Sequence, residues 1–158
     1  MENNKKQALL QQIMKFAVVG GLSSVIDFAI YSLIIVIFVR DGMDEGLYNI
    51  TVMAAAFFGF TISLIFNYLT SMKFVFRHDE NMDRRKEFTI FAILSLIGLG
   101  LNEAIIMGVL AYYKSVPLEI FKSGILYDYK EWVGKIIATG IVMVYNFVTR
   151  KIFIEKKD

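Results

Sequence analysis

Two stretches of the chain, FNYLTSMKFVF at positions 66–76 and YNFVTRKIFIE at positions 145–155, have similar sequences. In each, an asparagine lies near the end of a long apolar run, and basic residues follow it. A carboxamide in hydrocarbon costs free energy unless it is hydrogen-bonded, whereas lysine and arginine concentrate at the cytoplasmic ends of membrane helices. Both stretches are therefore predicted to close the cytoplasmic end of a membrane-spanning helix.

The composition is that of a membrane protein. The chain has 158 residues, of which 56% are hydrophobic, and its mean hydropathy is +0.55. A helix needs about 20 apolar residues to cross the hydrocarbon core, and a membrane barrel would need alternating apolar and polar residues, which these runs lack. The sequence thus predicts an all-α membrane protein, a single domain over residues 1–158. Its four transmembrane helices are expected at about 16–39, 47–70, 88–110 and 132–149.

The four helices form an internal repeat. A shift of 75 residues aligns the first with the third, and a shift of 79 aligns the second with the fourth. The matched pairs are Phe16 and Phe91, Gly20 and Ser95, Ser23 and Gly98, Asp27 and Asn102, Asn67 and Asn146, Thr70 and Thr149, and Phe74 and Phe153. Because each copy contains two spans, both copies enter the membrane in the same direction. The fold is therefore predicted to be two similar hairpins, related as parallel repeats.

The lysine and arginine distribution predicts the orientation. Twelve of these residues fall in the N-terminal segment, the segment between the second and third spans, and the C-terminal tail, against five on the opposite side. Positive residues favour the cytoplasmic side, so both termini are expected to be cytoplasmic. Residues 5–15 carry apolar side chains at helical spacing beside lysines and glutamines, which fits a short helix on the inner leaflet. A disordered tail fits them equally well.

Polar side chains inside the spans are the candidate binding residues. A carboxylate at the centre of a membrane helix costs on the order of 2.5–3.5 kcal/mol on insertion scales, so it normally faces the bundle interior or a water-filled path. The side chains in the spans that carry a carboxylate or a carboxamide are Asp27, Asn67, Asn102, Glu103 and Asn146. The competing interpretation is that Asp27 and Glu103 only fix the register of the helices. The small residues on the same faces fit close helix packing equally well.

Several kinds of chemistry are not expected from this sequence. The chain has no cysteine and a single histidine, His78, in a charged segment, so no thiolate or metal site is predicted. No glycine-rich loop followed by lysine and serine or threonine is present to hold a nucleotide. Two acids on separate helices are too little to support a hydrolase. We therefore expect no enzymatic activity, no cofactor, no metal and no nucleic-acid partner.

Three phrases of the sequence carry a resemblance to a known family. FAVVGGLSSVIDF at 16–28, NYLTSMKFVF at 67–76 and NFVTRKIFI at 146–154 resemble the GtrA-like family of small four-helix membrane proteins, including its branch linked to wall teichoic acid glycosylation. The resemblance covers about residues 12–155. It implies a protein of the cytoplasmic membrane that moves a polyprenyl-phosphate-linked monosaccharide to the outer leaflet. Membrane lipids, a membrane glycosyltransferase and a second copy of the chain are the implied partners.

The resemblance also assigns roles to single residues. The family's acidic position matches Asp27, and its helix-end asparagines match Asn67 and Asn146. With Asn102 and Glu103, these are expected to accept hydrogen bonds from sugar hydroxyls. The family's basic positions match three residues expected to bind the lipid phosphate, Lys73, Arg150 and Lys151.

The first copy departs from the family's pattern. Ser71 and Met72 occupy positions where asparagine and arginine are common. Arginine grips phosphate with a planar fork of donors, so the fourth helix is expected to hold phosphate more strongly than the second. For Arg77 and Lys151 the ordinary role of a positive residue at a cytoplasmic helix end is the favoured interpretation.

Two other functions remain open from the sequence. One is a proton-coupled exporter of small molecules, in which Asp27 or Glu103 exchanges a proton for a cation. The other is a membrane subunit that anchors a glycosyltransferase and transports nothing, its polar faces serving only for helix association.

Overall fold

In a computed structural model, which describes residues 2–79, 82–115 and 130–156, the described part of the chain is built from four α-helices. They are α1 (Glu2–Phe38), α2 (Glu45–Phe74), α3 (Arg84–Ser115) and α4 (Lys130–Phe153). Each contains a stretch apolar and long enough to cross a membrane: Asn4–Phe38, Glu45–Phe74, Arg84–Tyr112 and Gly134–Phe153. The predicted all-α, multi-pass membrane protein is confirmed.

Every helix begins before the apolar run that predicted it. Hydropathy marks only the part that lies in hydrocarbon, whereas lysine, glutamate and glutamine continue a helix readily beyond it. The effect is largest in α1, whose 37 residues rise about 55 Å against a hydrocarbon core of about 30 Å. Residues 5–15 thus form part of α1 and are not a separate short helix. Their location on the inner leaflet stays a prediction, as does the cytoplasmic placement of the termini.

The helices pair into two compact units. Helix α1 packs against α2, and α3 packs against α4; we call these pairs the first and second hairpins. The turn of the first hairpin contains Gly42, whose φ of 76° lies in the left-handed region that glycine adopts without strain. Asp44 then caps α2, because its Oδ2 accepts hydrogen bonds from the backbone N–H groups of Gly46 and Leu47 at 2.9 and 3.2 Å.

The same positions are buried in both hairpins. The buried pairs related by the 75- and 79-residue shifts are Phe16 and Phe91, Val19 and Leu94, Ser23 and Gly98, Ala55 and Gly134, Gly59 and Ala138, Tyr68 and Phe147, Ser71 and Arg150, and Val75 and Ile154. Burial repeats even where the residue type changes. The sequence repeat therefore corresponds to a repeat of packing within each hairpin.

The ends of α2 and α4 repeat as well. The carbonyl oxygen of Ser71 accepts hydrogen bonds from the N–H groups of the residues four and five positions later, at 2.9 Å each. That of Arg150 does the same at 2.9 and 3.2 Å. In the first hairpin this end also contacts α1, because Gln12 Nε2 donates to the Val75 carbonyl at 2.9 Å and the Phe16 and Phe76 rings meet edge to face, 5.8 Å apart.

The two helices of the first hairpin approach closely at Gly59. A Cβ atom built on Gly59 would lie 2.6 Å from Asp27 Oδ1 and 2.9 Å from the Asp27 backbone oxygen. Rotation of the Asp27 side chain can relieve the clash with Oδ1. The clash with the backbone oxygen can be relieved only if the two helices move apart. In lipid, helices associate by such close backbone approach, because the hydrophobic effect does not drive them together.

Gly59→Ala should consequently destabilise the first hairpin by about 1–3 kcal/mol, the usual cost of overpacking. The measurement is the thermal midpoint of the purified protein in detergent. Gly21→Ala is the matched control, because a Cβ at Gly21 meets nothing within 4 Å. Equal midpoints for the two variants would show that α1 and α2 are not held together at Gly59.

Candidate functional site

Asp27 lies where α1 and α2 approach closely, against Gly59. Its side chain is half-buried, and Oδ1 lies over the backbone of Gly59. Within the described part of the first hairpin, no hydrogen bond or ion pair satisfies its carboxylate. A carboxylate inside a membrane span and without such a partner retains its capacity to accept hydrogen bonds from a ligand or to take up a proton.

Asn67 is engaged within its own helix. Its Oδ1 accepts a hydrogen bond from Ser71 Oγ at 3.0 Å, one turn later in α2. Ser71 is fully buried, so this bond satisfies a hydroxyl that has no access to water. The asparagine of the first hairpin therefore has a packing role of its own.

Asn146, the repeat counterpart of Asn67, has different surroundings. Its carboxamide lies against Gly98 of α3: a Cβ built on that glycine would lie 2.9 Å from Asn146 Nδ2 and 3.1 Å from its Oδ1. The Oδ1 atom is buried and accepts no hydrogen bond from any residue that the structure describes. A buried carbonyl oxygen without a donor costs on the order of 1–3 kcal/mol.

Arg150 is buried inside the second hairpin, with 3% of its surface exposed. Its Nη2 donates to Ser95 Oγ at 2.8 Å, and its guanidinium carbon lies 3.8 Å from the centre of the Phe91 ring. Arginine stacks on aromatic faces because its planar guanidinium is weakly hydrated and is attracted to the ring's negative face. The guanidinium of Arg150 is thus held in one place by α3.

The other two cations are held less firmly. Lys151 is half-buried and pairs with Glu155 one turn later, with Nζ 2.6 Å from Oε2. Lys73, at the end of α2, is exposed and lies 5.1 Å from the centre of the Phe74 ring. Lysine carries its charge on a flexible stem, so Lys73 is the cation best able to reach a lipid headgroup.

Asn102 and Glu103 contact each other on α3. Asn102 Nδ2 donates to Glu103 Oε1 at 3.1 Å. Glu103 is exposed, whereas Asn102 is half-buried. The contact orients the carboxylate but leaves it capable of accepting further hydrogen bonds.

The predicted residues are thus divided between the hairpins. Asp27, Asn67 and Lys73 belong to the first, and the remaining five belong to the second. Sequence analysis missed the partners that hold Arg150. A signal was available, because Gly20 becomes Ser95 and Ser71 becomes Arg150 between the repeats, and the two new residues bond to each other.

A further buried charge escaped the sequence analysis. Glu87 is fully buried, and its Oε1 lies 3.6 Å from Nη1 of Arg84. Its repeat counterpart is Gln12, which donates to the end of α2. The sequence places Glu87 before the third apolar run, where an acid raises no suspicion of burial.

A family model described as "GtrA/DPMS, transmembrane domain" matches residues 15–155. This range contains α2, α3, α4, the part of α1 from Lys15 onward, and all eight predicted binding residues. No curated protein and no solved structure matches the chain.

Ser95→Ala should destabilise the second hairpin by about 1.5–3 kcal/mol, because hydrogen bonds to charged groups are worth that much and the guanidinium stays buried. The readout is again the thermal midpoint in detergent. Ser24→Ala is the control, since Ser24 is exposed and bonds only the Gly20 carbonyl of its own helix, at 3.1 Å. A Ser95 variant as stable as the Ser24 variant contradicts the role given to this bond.

Proposed function

Because the chain belongs to the GtrA/DPMS transmembrane-domain family, we propose that it moves a polyprenyl-phosphate-linked monosaccharide across the cytoplasmic membrane. The sugar would then be used outside to glycosylate a cell-surface polymer such as teichoic acid or a polysaccharide. Four membrane-spanning helices with polar side chains inside the spans support this function.

The observation that carries the proposal is the Asp27 carboxylate. It lies within the Asn4–Phe38 span, against the backbone of α2, where a charge is costly unless it has a use. A sugar offers many hydroxyl donors, and a carboxylate is the strongest acceptor among side chains. Asn102, Glu103 and Asn146 would provide further acceptors along the spans of the second hairpin.

The lipid phosphate requires cations near the membrane surface. We assign this role within the first hairpin to Lys73, at the end of α2, and within the second hairpin to Arg150 and Lys151, at the end of α4. Lys73 would contact the phosphate directly because it is exposed. Arg150 would act chiefly as a fixed positive charge, since electrostatic attraction is strong where the surroundings exclude water.

The apolar parts of the protein and of the substrate suit each other. The polyprenyl chain can remain in lipid along the apolar outer faces of the helices while only the headgroup crosses. In this proposal the protein catalyses no reaction, and transfer of the sugar to its polymer belongs to a separate membrane glycosyltransferase. Both termini would be cytoplasmic.

Asp27→Asn should lower the sugar content of the surface polymer roughly tenfold to a hundredfold, the factor that corresponds to about 1.5–3 kcal/mol for a hydrogen bond to a charged group. The variant would be compared with the wild type in cells that lack the native gene. Size and shape are retained, so its abundance in the membrane should be normal.

Asp41→Asn, in the exposed turn between α1 and α2, is the control. Cells with this variant should have the normal sugar content on the surface polymer. A normal sugar content in cells with the Asp27 variant, at a normal amount of the protein in the membrane, contradicts the role given to Asp27. Drug sensitivity without any change in surface sugars would favour an exporter.

A further inference from the structure

The two hairpins differ in one linked set of residues. In the first, Ser71 donates to Asn67 Oδ1 at 3.0 Å. In the second, Arg150 occupies the position of Ser71 and donates instead to Ser95, which occupies the position of Gly20. Asn146, at the position of Asn67, thereby loses the donor that the repeat would have provided.

This difference explains why the buried Oδ1 of Asn146 lacks a hydrogen-bond donor. Its Oδ1 accepts no hydrogen bond from the described residues, although asparagine oxygens in such surroundings are normally satisfied. The carboxamide lies against Gly98, which has no side chain to donate. At this helix end the second hairpin thus retains a buried acceptor without a donor among the described residues, one turn from a fixed guanidinium. At the corresponding end of the first hairpin the asparagine accepts from Ser71, and no arginine occupies that position.

We propose that the two helix-end asparagines have different roles: Asn146 accepts a hydroxyl of the translocated sugar, and Asn67 holds α2 together. The inference rests on the proposed function and names the half of the molecule that recognises the headgroup. The required ligand chemistry is a hydroxyl donor close to an anion, because the acceptor and the guanidinium of Arg150 lie one helical turn apart. A monosaccharide phosphate ester has both groups.

The Asn146 carboxamide would need only a change of its terminal torsion to offer its oxygen to such a ligand. The residue as a whole is half-buried, and the terminal torsion of asparagine is broad, so the carboxamide can turn its oxygen toward a hydroxyl. No hydrogen bond from the described residues to this oxygen would have to break. By contrast, Asn67 Oδ1 already accepts from the buried Ser71 hydroxyl, and turning it toward a ligand would weaken that bond.

The test compares Asn146→Leu with Asn67→Leu, which are the same change at repeat-related positions. Binding of decaprenyl phosphate, with and without an attached glucose or N-acetylglucosamine, is measured on the purified full chain in nanodiscs. Asn146→Leu should weaken binding of at least one sugar-bearing lipid about fivefold, the worth of one ordinary hydrogen bond, and leave binding of the bare phosphate nearly unchanged. Asn67→Leu should alter the affinity of the folded protein for none of them.

Thermal midpoints provide a second readout that needs no ligand. Asn67→Leu should lower the midpoint, because the Ser71 hydroxyl is left buried without its acceptor. Asn146→Leu should leave the midpoint unchanged or raise it, because a buried oxygen without a donor is removed.

Equal losses of binding in the two variants, or a larger loss of stability in Asn146→Leu, would overturn the division of roles. If the wild type binds none of these lipids, the proposed function fails, while the midpoints still decide whether Asn146 lacks the bond that Asn67 has.

Discussion

The structure depends on helix pairs that must approach closely in lipid while carrying polar groups. At Gly59 the absence of a side chain lets α2 lie against the backbone of α1, and this contact places the Asp27 carboxylate between the two helices. In the second hairpin Gly98 does the same for the carboxamide of Asn146. Close packing and the placement of polar groups are thus linked, because Gly59 and Gly98 each face a polar side chain proposed to bind the substrate.

Duplication preserved this packing and altered its chemistry. The buried positions and the helix ends repeat from one hairpin to the other. At the ends of α2 and α4, however, a serine bonded to an asparagine in the first hairpin is replaced by an arginine bonded to a new serine in the second. At this end the asparagine of the first hairpin is satisfied internally, whereas the second hairpin combines a fixed positive charge with an acceptor that lacks a donor among the described residues. Under the proposed function, the second hairpin would recognise the headgroup.

The sequence predicted the parts of this architecture that follow from period and composition. Hydropathy located all four helices, and the repeated phrases ending at Phe76 and Glu155 identified the hairpins and the family. Individual side-chain contacts could not be predicted, because they depend on which faces of the helices meet. Arg150 was predicted to bind phosphate from the end of a helix, yet it is buried on Phe91, and its role toward phosphate remains a proposal. Asn67 and Asn146 looked equivalent, although their difference arises one turn later in the same helices, where Arg150 replaces Ser71 and bonds to the neighbouring helix.

The most direct measurement of the central claim uses the purified protein in vesicles that contain a fluorescent polyprenyl-phosphate monosaccharide in both leaflets. A reductant that cannot cross the membrane destroys the label in the outer leaflet only. If the protein translocates the lipid, the inner-leaflet label becomes accessible and the remaining fluorescence disappears with time. Fluorescence that persists at the level of protein-free vesicles would contradict translocation by this chain alone and would favour a membrane subunit that only anchors a glycosyltransferase.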